Sequence, residues 1–225
     1  MKLTTEQIQV IEATLDLNGL VYDDIKLEVL DHIASEIENK MSLESLSFDE
    51  TLKVVFENWK NQLRPTLYSH LLGKMIGPKI LMDKMAHSVK KELIIILSLV
   101  FLFTSVLMFV NSDISNNFFL MNVENVTTYL SIIGLFLLMG SKVYLTRSTI
   151  KTSYEFRFNR VFFFNLFYAI IRSFGAFPSV STTDAQYGGI TNVVKLIHGM
   201  LLLFLIANSL RFVYLHFQFE KKYAI

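Results

Sequence analysis

One row of side chains in this sequence combines a histidine with carboxylates at helical spacing. Glu28, His32 and Glu36 follow one another at intervals of four residues within the stretch EVLDHIASEIE, so a helix would place them in one row. Such a row can supply two or three metal ligands, as the carboxylate sites of helix bundles do. Those sites draw ligands from several helices, and neither neighbouring predicted helix offers an inward His or carboxylate at matching spacing. The sequence therefore favours a solvated or partner-facing acidic face, with a metal site as the alternative.

No familiar catalytic or cofactor-binding motif occurs in the chain. It has no phosphate-binding loop of the Walker type, no G-x-S-x-G, no H-E-x-x-H and no dinucleotide-binding fingerprint. Cysteine is absent, which excludes disulfides, thiolate catalysis and cysteine-ligated zinc. Residues 1–64 contain thirteen Asp and Glu against six Lys and Arg, so this part would repel the phosphates of a nucleic acid. We therefore predict no enzymatic activity, no cofactor and no nucleic-acid partner.

The second half of the chain has the composition of a membrane protein. The mean hydropathy of the whole chain is +0.42, and the uncharged run from Leu93 to Val110 would cross most of a hydrocarbon layer about 30 Å thick. We predict an all-α protein in which a small N-terminal helical bundle and a linker precede a four-helix transmembrane bundle. The predicted parts are residues 1–65, 66–92 and 93–225, with spans at about 93–110, 126–145, 161–177 and 193–215.

The third predicted span admits a second interpretation. Its uncharged run from Val161 has only eleven residues before Arg172, so it could instead be an aromatic helix lying in the membrane interface. Loop charges favour four spans, because residues 111–125 and 178–191 contain no Lys or Arg, whereas the other loops and the C-terminus carry several. Four spans place both termini in the cytoplasm of a bacterial inner-membrane protein, whereas three would leave the C-terminal EKKYAI outside.

Several polar residues fall within or close to the predicted spans. Arg172 is expected near or just beyond the bilayer midplane, where a charge costs at least about 2.5–3.5 kcal/mol unless it is paired or hydrated. It could attract an anion from outside together with Lys195 and His198, or it could snorkel outward beside them. Asn208 is a further intramembrane candidate, as a partner for Arg172 across the bundle. No acidic residue lies inside a predicted span, which weakens the case for proton-coupled transport.

Three amphipathic helices are predicted before Pro65. The first opens with a capping box in TTEQ and ends at Gly19, the second runs from about Asp23 to Met41, and the third opens with a capping box in SFDE. About 65 residues is near the lower limit for independent stability. The apolar stripes of the three helices are Ile8, Ile11, Leu15 and Leu17; Ile25, Val29, Ile33, Ile37 and Met41 with Leu30 and Ala34; and Leu52, Val55, Phe56 and Trp59.

The linker at residues 66–92 alternates apolar side chains with cations. This pattern is typical of a basic amphipathic segment lying on an anionic membrane surface, and Pro78 is expected to divide it into two short helices. Its apolar face could also complete the core of the acidic bundle, and both interpretations could hold together. The basic residues predicted to lie at the membrane surface are Lys74, Lys79, Lys84, Lys90 and Lys91.

One resemblance to known families can be stated. The run YDDIKLEVLDHIASEIENKM, followed by a short loop and SFDETLKVVFENW, resembles the small helical domains of the HAAS type (the DUF1700-like group), which precede transmembrane segments in bacterial membrane proteins. It also resembles the N-terminal part of uncharacterised multi-span membrane proteins of Bacteroidetes, in which D-H-I with a following Glu recurs. The resemblance covers at most residues 1–90, and NWKNQLRP stands where HAAS domains have Leu-Gly-x-Pro. It implies a membrane-tethered regulatory or adaptor role and no catalytic residues.

These observations lead to three functional hypotheses. The first is an adaptor, sensor or regulator in the lipid bilayer whose cytoplasmic helical domain binds a protein partner. The second is a small transporter or permease subunit in which Arg172, Lys195 and His198 attract an anionic solute. The third is a membrane enzyme that uses Glu28, His32 and Glu36 on a lipid headgroup at the cytoplasmic face. The sequence leaves homo-oligomerisation open.

Overall fold

The computed structural model describes residues 2–68, 74–110, 117–173 and 185–223. These residues form seven helices and one two-stranded antiparallel sheet, so the predicted all-α class is confirmed apart from this hairpin. The helices are α1 (Thr5–Leu17), α2 (Asp23–Glu44), α3 (Phe48–Leu63), α4 (Lys79–Val110), α5 (Asn117–Arg147), α6 (Ser153–Ser173) and α7 (Ala185–Tyr223), and the strands are β1 (Pro65–Tyr68) and β2 (Met75–Pro78).

The chain divides into two compact units. The first unit comprises Met1–Lys90 and Thr149–Ser153, and the second unit comprises Lys91–Ser148 and Tyr154–Ile225. The first unit therefore contains α1, α2, α3, the hairpin and the first part of α4, together with a short segment that lies much later in the sequence. The second unit contains the apolar part of α4 with α5, α7 and nearly all of α6.

Both predicted capping boxes are formed in the first unit. The hydroxyl of Thr4 accepts a hydrogen bond from the backbone N–H of Gln7, whose side chain accepts one from the N–H of Thr4. Ser47 and Glu50 make the same exchange at the start of α3, and the bonds from Ser47 lower the pKa of Glu50. Gly19 follows α1 with φ +83°, a left-handed conformation that glycine adopts readily. The ends of these helices are thus encoded locally.

The core of the first unit is built around α2. All five predicted stripe residues of α2 are buried, and α2 contacts both α1 and α3. On α1 only half of the predicted stripe is buried, because Ile11 and Leu15 are fully covered whereas Ile8 is 37% and Leu17 is 89% exposed. A helix turns by about 100° per residue, so Leu17 points well away from the side occupied by Leu15. The predicted stripe of α1 is therefore only partly a buried face, because Ile8 and Leu17 lie outside the core.

Residues 65–68 and 75–78 form the strands of a β-hairpin, so the short helix predicted before Pro78 is wrong, whereas the residues predicted to be helical after it begin the long helix α4. The strands pair antiparallel with Pro65 opposite Pro78 and Leu67 opposite Ile76. Proline has no N–H to donate and is tolerated at a strand end, where the ladder of hydrogen bonds stops. Pro78 also directly precedes α4, so the part of the predicted linker after it is helical.

The five lysines predicted to lie at the membrane surface fall on two elements. Lys74 precedes β2, and the other four lie on α4. Lys74, Lys84, Lys90 and Lys91 are exposed, whereas Lys79, at the first position of α4, is half-buried. Their placement at a membrane surface stays a prediction.

Three of the described helices are long and apolar enough to cross a membrane, and they include three of the four predicted spans. Helix α6 is not among them, as far as its described residues show, because Glu155, Arg157 and Arg160 lie in its first part. Residues 174–177 of the predicted third span lie outside the described residues. The candidate spans are Lys79–Phe109, Asn125–Arg147 and Val193–Tyr223.

The second unit has a core formed by α5, α6 and α7. Helices α5 and α7 approach closely at Gly134, where an added Cβ would lie 2.8 Å from a side-chain carbon of Ile206. Glycine at this position allows the two helices to pack in contact, as small residues do in membrane bundles. The buried side chains of this core are Leu138, Leu145, Phe158, Phe162, Ala169, Leu202, Ile206 and Phe212.

Candidate functional site

The row of Glu28, His32 and Glu36 forms on α2, but its two carboxylates bind different neighbours. Glu28 accepts a hydrogen bond from the ammonium group of Lys84, and Glu36 accepts one of 2.9 Å from the indole Nε1 of Trp59. His32 is exposed. Among the described residues no group of three or more His, Asp and Glu side chains is placed to hold a metal ion. The row therefore links α2 to α3 and to the start of α4.

A buried lysine connects the ends of α1 and α2. The Lys26 ammonium lies 3.1 Å from Asp16 Oδ1, 3.2 Å from Glu12 Oε1 and 3.3 Å from Asp23 Oδ1, and its side chain is 10% exposed. Burial alone would lower the pKa of Lys26, but the hydrogen bonds that its ammonium donates to these carboxylates outweigh burial and raise the pKa. Because Glu12 and Asp16 lie on α1 and Lys26 lies on α2, this cluster holds the two helices together.

The start of α2 is bonded to the late segment of the same unit. The carboxylate of Asp24 accepts hydrogen bonds from the Ser153 hydroxyl and from the Ser153 N–H, the latter at 2.7 Å. Asp23 exchanges two hydrogen bonds with the backbone of Lys151, at 2.8 and 3.2 Å. Burial raises the pKa of Asp24, although the bonds from Ser153 act in the opposite direction. Residues 151 and 153 therefore complete the N-terminal end of α2.

The second unit contains a buried charge cluster centred on Glu92. One oxygen of this carboxylate binds the guanidinium of Arg157, and the other lies 3.2 Å from the guanidinium of Arg211. The side chains of Arg157 and Glu92 are 6% and 10% exposed, whereas that of Arg211 is 49% exposed. The Arg157 guanidinium also lies 4.4 Å from the centre of the Phe212 ring, a distance typical of a cation–π contact. One carboxylate thus serves two cations from α6 and α7.

No motif in the sequence marks this cluster. Glu92 is the last charged residue before the 18 uncharged residues of the first predicted span. This position is the feature of the sequence from which the cluster could have been predicted. A carboxylate at such a boundary needs a cation within reach, and Arg157 also precedes an apolar run, the one that starts at Val161. Which of the several cations pairs with Glu92 depends on helix packing and could not be read from spacing along the chain.

A second polar contact joins α5 to α7. The Glu220 carboxylate accepts hydrogen bonds from the hydroxyl of Tyr144 and from that of Ser148, the latter at 2.9 Å. The ring of Tyr144 packs edge-on against the fully buried ring of His216, with 6.0 Å between the ring centres. These contacts hold the C-terminal part of α7 against the C-terminal part of α5.

Two further polar contacts lie between α6 and α7. The side-chain amide of Asn165, which is fully buried, donates a 2.7 Å hydrogen bond to the hydroxyl of Ser209. The hydroxyl of Tyr168 binds the Nδ1 atom of His198. We call the Asn165–Ser209 and Tyr168–His198 pairs the α6–α7 polar seam. The structure therefore gives the predicted candidate His198 a partner on α6.

The other predicted intramembrane candidates are not brought into one described site. The side chain of Arg172 lies outside the part of the chain that the structure describes. Lys195 is half-buried and lies one turn before His198 on α7, and Asn208 is half-buried next to Ser209. A common anion site formed by Arg172, Lys195 and His198 therefore stays a prediction.

An open groove of about 630 Å³ lies between α1 and α3 in the first unit. Its floor on the α3 side is apolar. Three cationic side chains also line it, Lys53 and Lys60 on α3 and Arg64 directly after α3. Beside it on α1, Val10 is 46% and Leu17 is 89% exposed. The groove is lined by Thr14 and Asn18, by Lys53, Phe56, Glu57, Lys60 and Leu63, and by Arg64 and Pro65. We call this surface the α1–α3 groove.

Comparison of the chain with protein-family models, with curated proteins and with solved structures gives no match. The resemblance of residues 1–90 to HAAS-type domains accordingly stays an interpretation of the sequence. The function of the protein is therefore inferred from its own geometry.

Proposed function

We propose that this protein is a membrane-anchored adaptor or regulator whose first unit binds a protein partner. The observation that carries the proposal is the exposed apolar surface of α1 beside the α1–α3 groove. Val10 and Leu17 lie on the same face of α1 as Thr14, at spacings of four and three residues, and Leu17 is 89% exposed. Apolar side chains grouped at a groove are typical of protein-binding surfaces.

The row of Glu28, His32 and Glu36 fits a protein-binding unit better than it fits a metal-binding or catalytic site. Both carboxylates are used within the unit, by Lys84 and by Trp59. What the row contributes is rigidity, because it fixes α2 to its neighbours on two sides. A rigid helical unit with an apolar groove is suited to binding, since little conformational freedom is lost when the partner arrives.

The proposed setting is a bacterial inner membrane with four spans and both termini in the cytoplasm. Three helices of sufficient length and apolarity support a membrane location. The alternation of loops rich in Lys and Arg with loops that lack them supports a fourth span through α6. In this arrangement the exposed lysines of α4 that precede the span, Lys84, Lys90 and Lys91, would lie near anionic lipid headgroups.

Site-specific photocrosslinking in native cells tests the proposed function. A photoreactive amino acid is placed at His32 on α2 or at Leu17 beside the groove, and cross-linked proteins are identified by mass spectrometry. We expect the photoreactive residue at one or both of these positions to capture one and the same protein. The same photoreactive residue at Phe136, which is 75% exposed on α5, is the control and should not capture that protein. Capture at neither position of the first unit, with the chain folded and inserted, contradicts the proposal.

A second candidate function is a small permease for an anionic solute, and the α6–α7 polar seam favours it. Buried polar pairs are expensive inside a bilayer and often mark a solute pathway. Proteoliposomes under gradients of phosphate, sulfate or acetate should then show flux, and the double variant Asn165→Leu with Tyr168→Phe should reduce it about tenfold or more. If none of these three anions crosses the membrane, this candidate is wrong.

A further inference from the structure

We propose that the α1–α3 groove binds an acidic amphipathic segment of the partner protein. This inference rests on the proposed function and adds to it the place of binding and the chemistry of the bound segment.

The shape of the groove fits a segment with apolar anchors. On α3, Phe56 is half-buried and Leu63 is buried, so an apolar floor lies between the two helices. On α1, Thr14 lines the groove, and the exposed side chains of Val10 and Leu17 lie on the same face of the helix as Thr14. A helix that places apolar residues at positions i, i+3 or i+4, and i+7 could cover both surfaces at once, as in other helix-in-groove complexes.

The charges of the groove select an acidic segment. Lys53, Lys60 and Arg64 follow one another along α3 and its C-terminal cap, and all three are exposed. Glu57 compensates one of these charges through a 2.8 Å ion pair with Lys60, which leaves a net charge of two positive units among the lining residues. Residues 1–64 as a whole carry more than twice as many acidic as basic residues, so this groove is a positive area on an acidic unit.

Salt screening makes the local charges decisive. At physiological ionic strength an interaction between exposed charges is largely screened beyond about 8 Å. Carboxylates of a segment lying in the groove would therefore sense Lys53 and Arg64 far more than the acidic residues on the other faces of the unit. A basic segment would gain the same apolar contacts but would meet like charges.

Binding of defined peptides to the full-length protein in lipid nanodiscs tests the inference. The probe is a fluorescent amphipathic peptide with Leu on one face and Glu on the other, compared with a second peptide in which every Glu is Gln. We expect the Glu peptide to bind at least about tenfold more tightly, and its affinity to fall as salt is added. The double variant Lys53→Glu with Arg64→Glu should remove this preference.

The matched control is the double variant Lys2→Glu with Lys40→Glu, which changes the charge of the unit by the same amount away from the groove. It should leave the preference for the Glu peptide intact. Equal binding of the two peptides, or equal loss in both double variants, overturns the inference.

Crosslinking at Leu17 separates the failure of this inference from the failure of the proposed function. If the inference is right, the peptide of the partner that is captured at Leu17 is rich in Asp and Glu. A partner captured at His32 but not at Leu17 leaves the proposed function standing and overturns the groove as its site. Capture of a second copy of this chain, or of a basic peptide, at Leu17 also overturns the inference.

Discussion

Replacement of Glu92 by Gln is expected to destabilise the second unit by about 3–5 kcal/mol, the usual result of removing one partner of a buried ion pair. Arg157 cannot lose its proton under ordinary conditions, and its side chain is only 6% exposed. The neutral amide removes the negative charge that faces this guanidinium, which lies against the ring of Phe212. Thermal unfolding in detergent, followed by circular dichroism, measures the loss.

Two variants separate the effect of the buried charge from other effects. Arg211→Gln should cost only about 0–1 kcal/mol, because the Arg211 side chain is 49% exposed and water can replace its partner. Glu92→Gln combined with Arg157→Met should recover most of the loss, since both members of the buried pair are then neutral. If Glu92→Gln is no more harmful than Arg211→Gln, the ion pair with Arg157 does not stabilise the unit.

Ile33→Ala should destabilise the first unit by about 2–5 kcal/mol. Ile33 is fully buried on α2, the helix that contacts both α1 and α3. Truncation removes apolar contacts and leaves a cavity in a small core, against a total stability of about 5–15 kcal/mol for a typical domain. Trp59 is the only tryptophan of the chain and lies in this unit, so its emission during urea unfolding of the full-length protein reports the change directly.

Leu17→Ala is the matched control for this experiment. Leu17 also belonged to a predicted apolar stripe, but it is 89% exposed, so its truncation should change the stability by no more than about 0.5 kcal/mol. A loss similar to that of Ile33→Ala would show that Leu17 is covered in the folded protein. That result would also remove the exposed apolar surface on which the proposed function rests.

Local chemistry explains which elements could be predicted from the sequence. The capping boxes at Thr4 and Ser47 and the glycine after α1 act within a few residues, so the bounds of α1 and α3 followed from spacing alone. The hairpin was missed because the pairing of Pro65 with Pro78 joins residues thirteen positions apart in the chain. Apolar residues mixed with lysines give a similar pattern in a short strand and in an amphipathic helix.

The candidate sites depend even more than the hairpin does on contacts between residues that are far apart in the sequence. The sequence placed Glu28, His32 and Glu36 in one row, but it could not show that Lys84 and Trp59 bind the two carboxylates. The pairing of Glu92 with Arg157, and of Asn165 with Ser209, depends on which helices pack together. The groove likewise depends on the distance between α1 and α3, which periodicity within one helix does not contain.

The bonds between α2 and the segment Thr149–Ser153 have a consequence for biosynthesis. The N–H groups of Lys151 and Ser153 that bind Asp23 and Asp24 leave the ribosome only after α4 and α5 have been made. N-terminal domains commonly fold during synthesis as soon as they are complete, but this unit is complete only when more than half of the chain has been translated. Maturation of the first unit is therefore coupled in time to synthesis of the first two predicted spans.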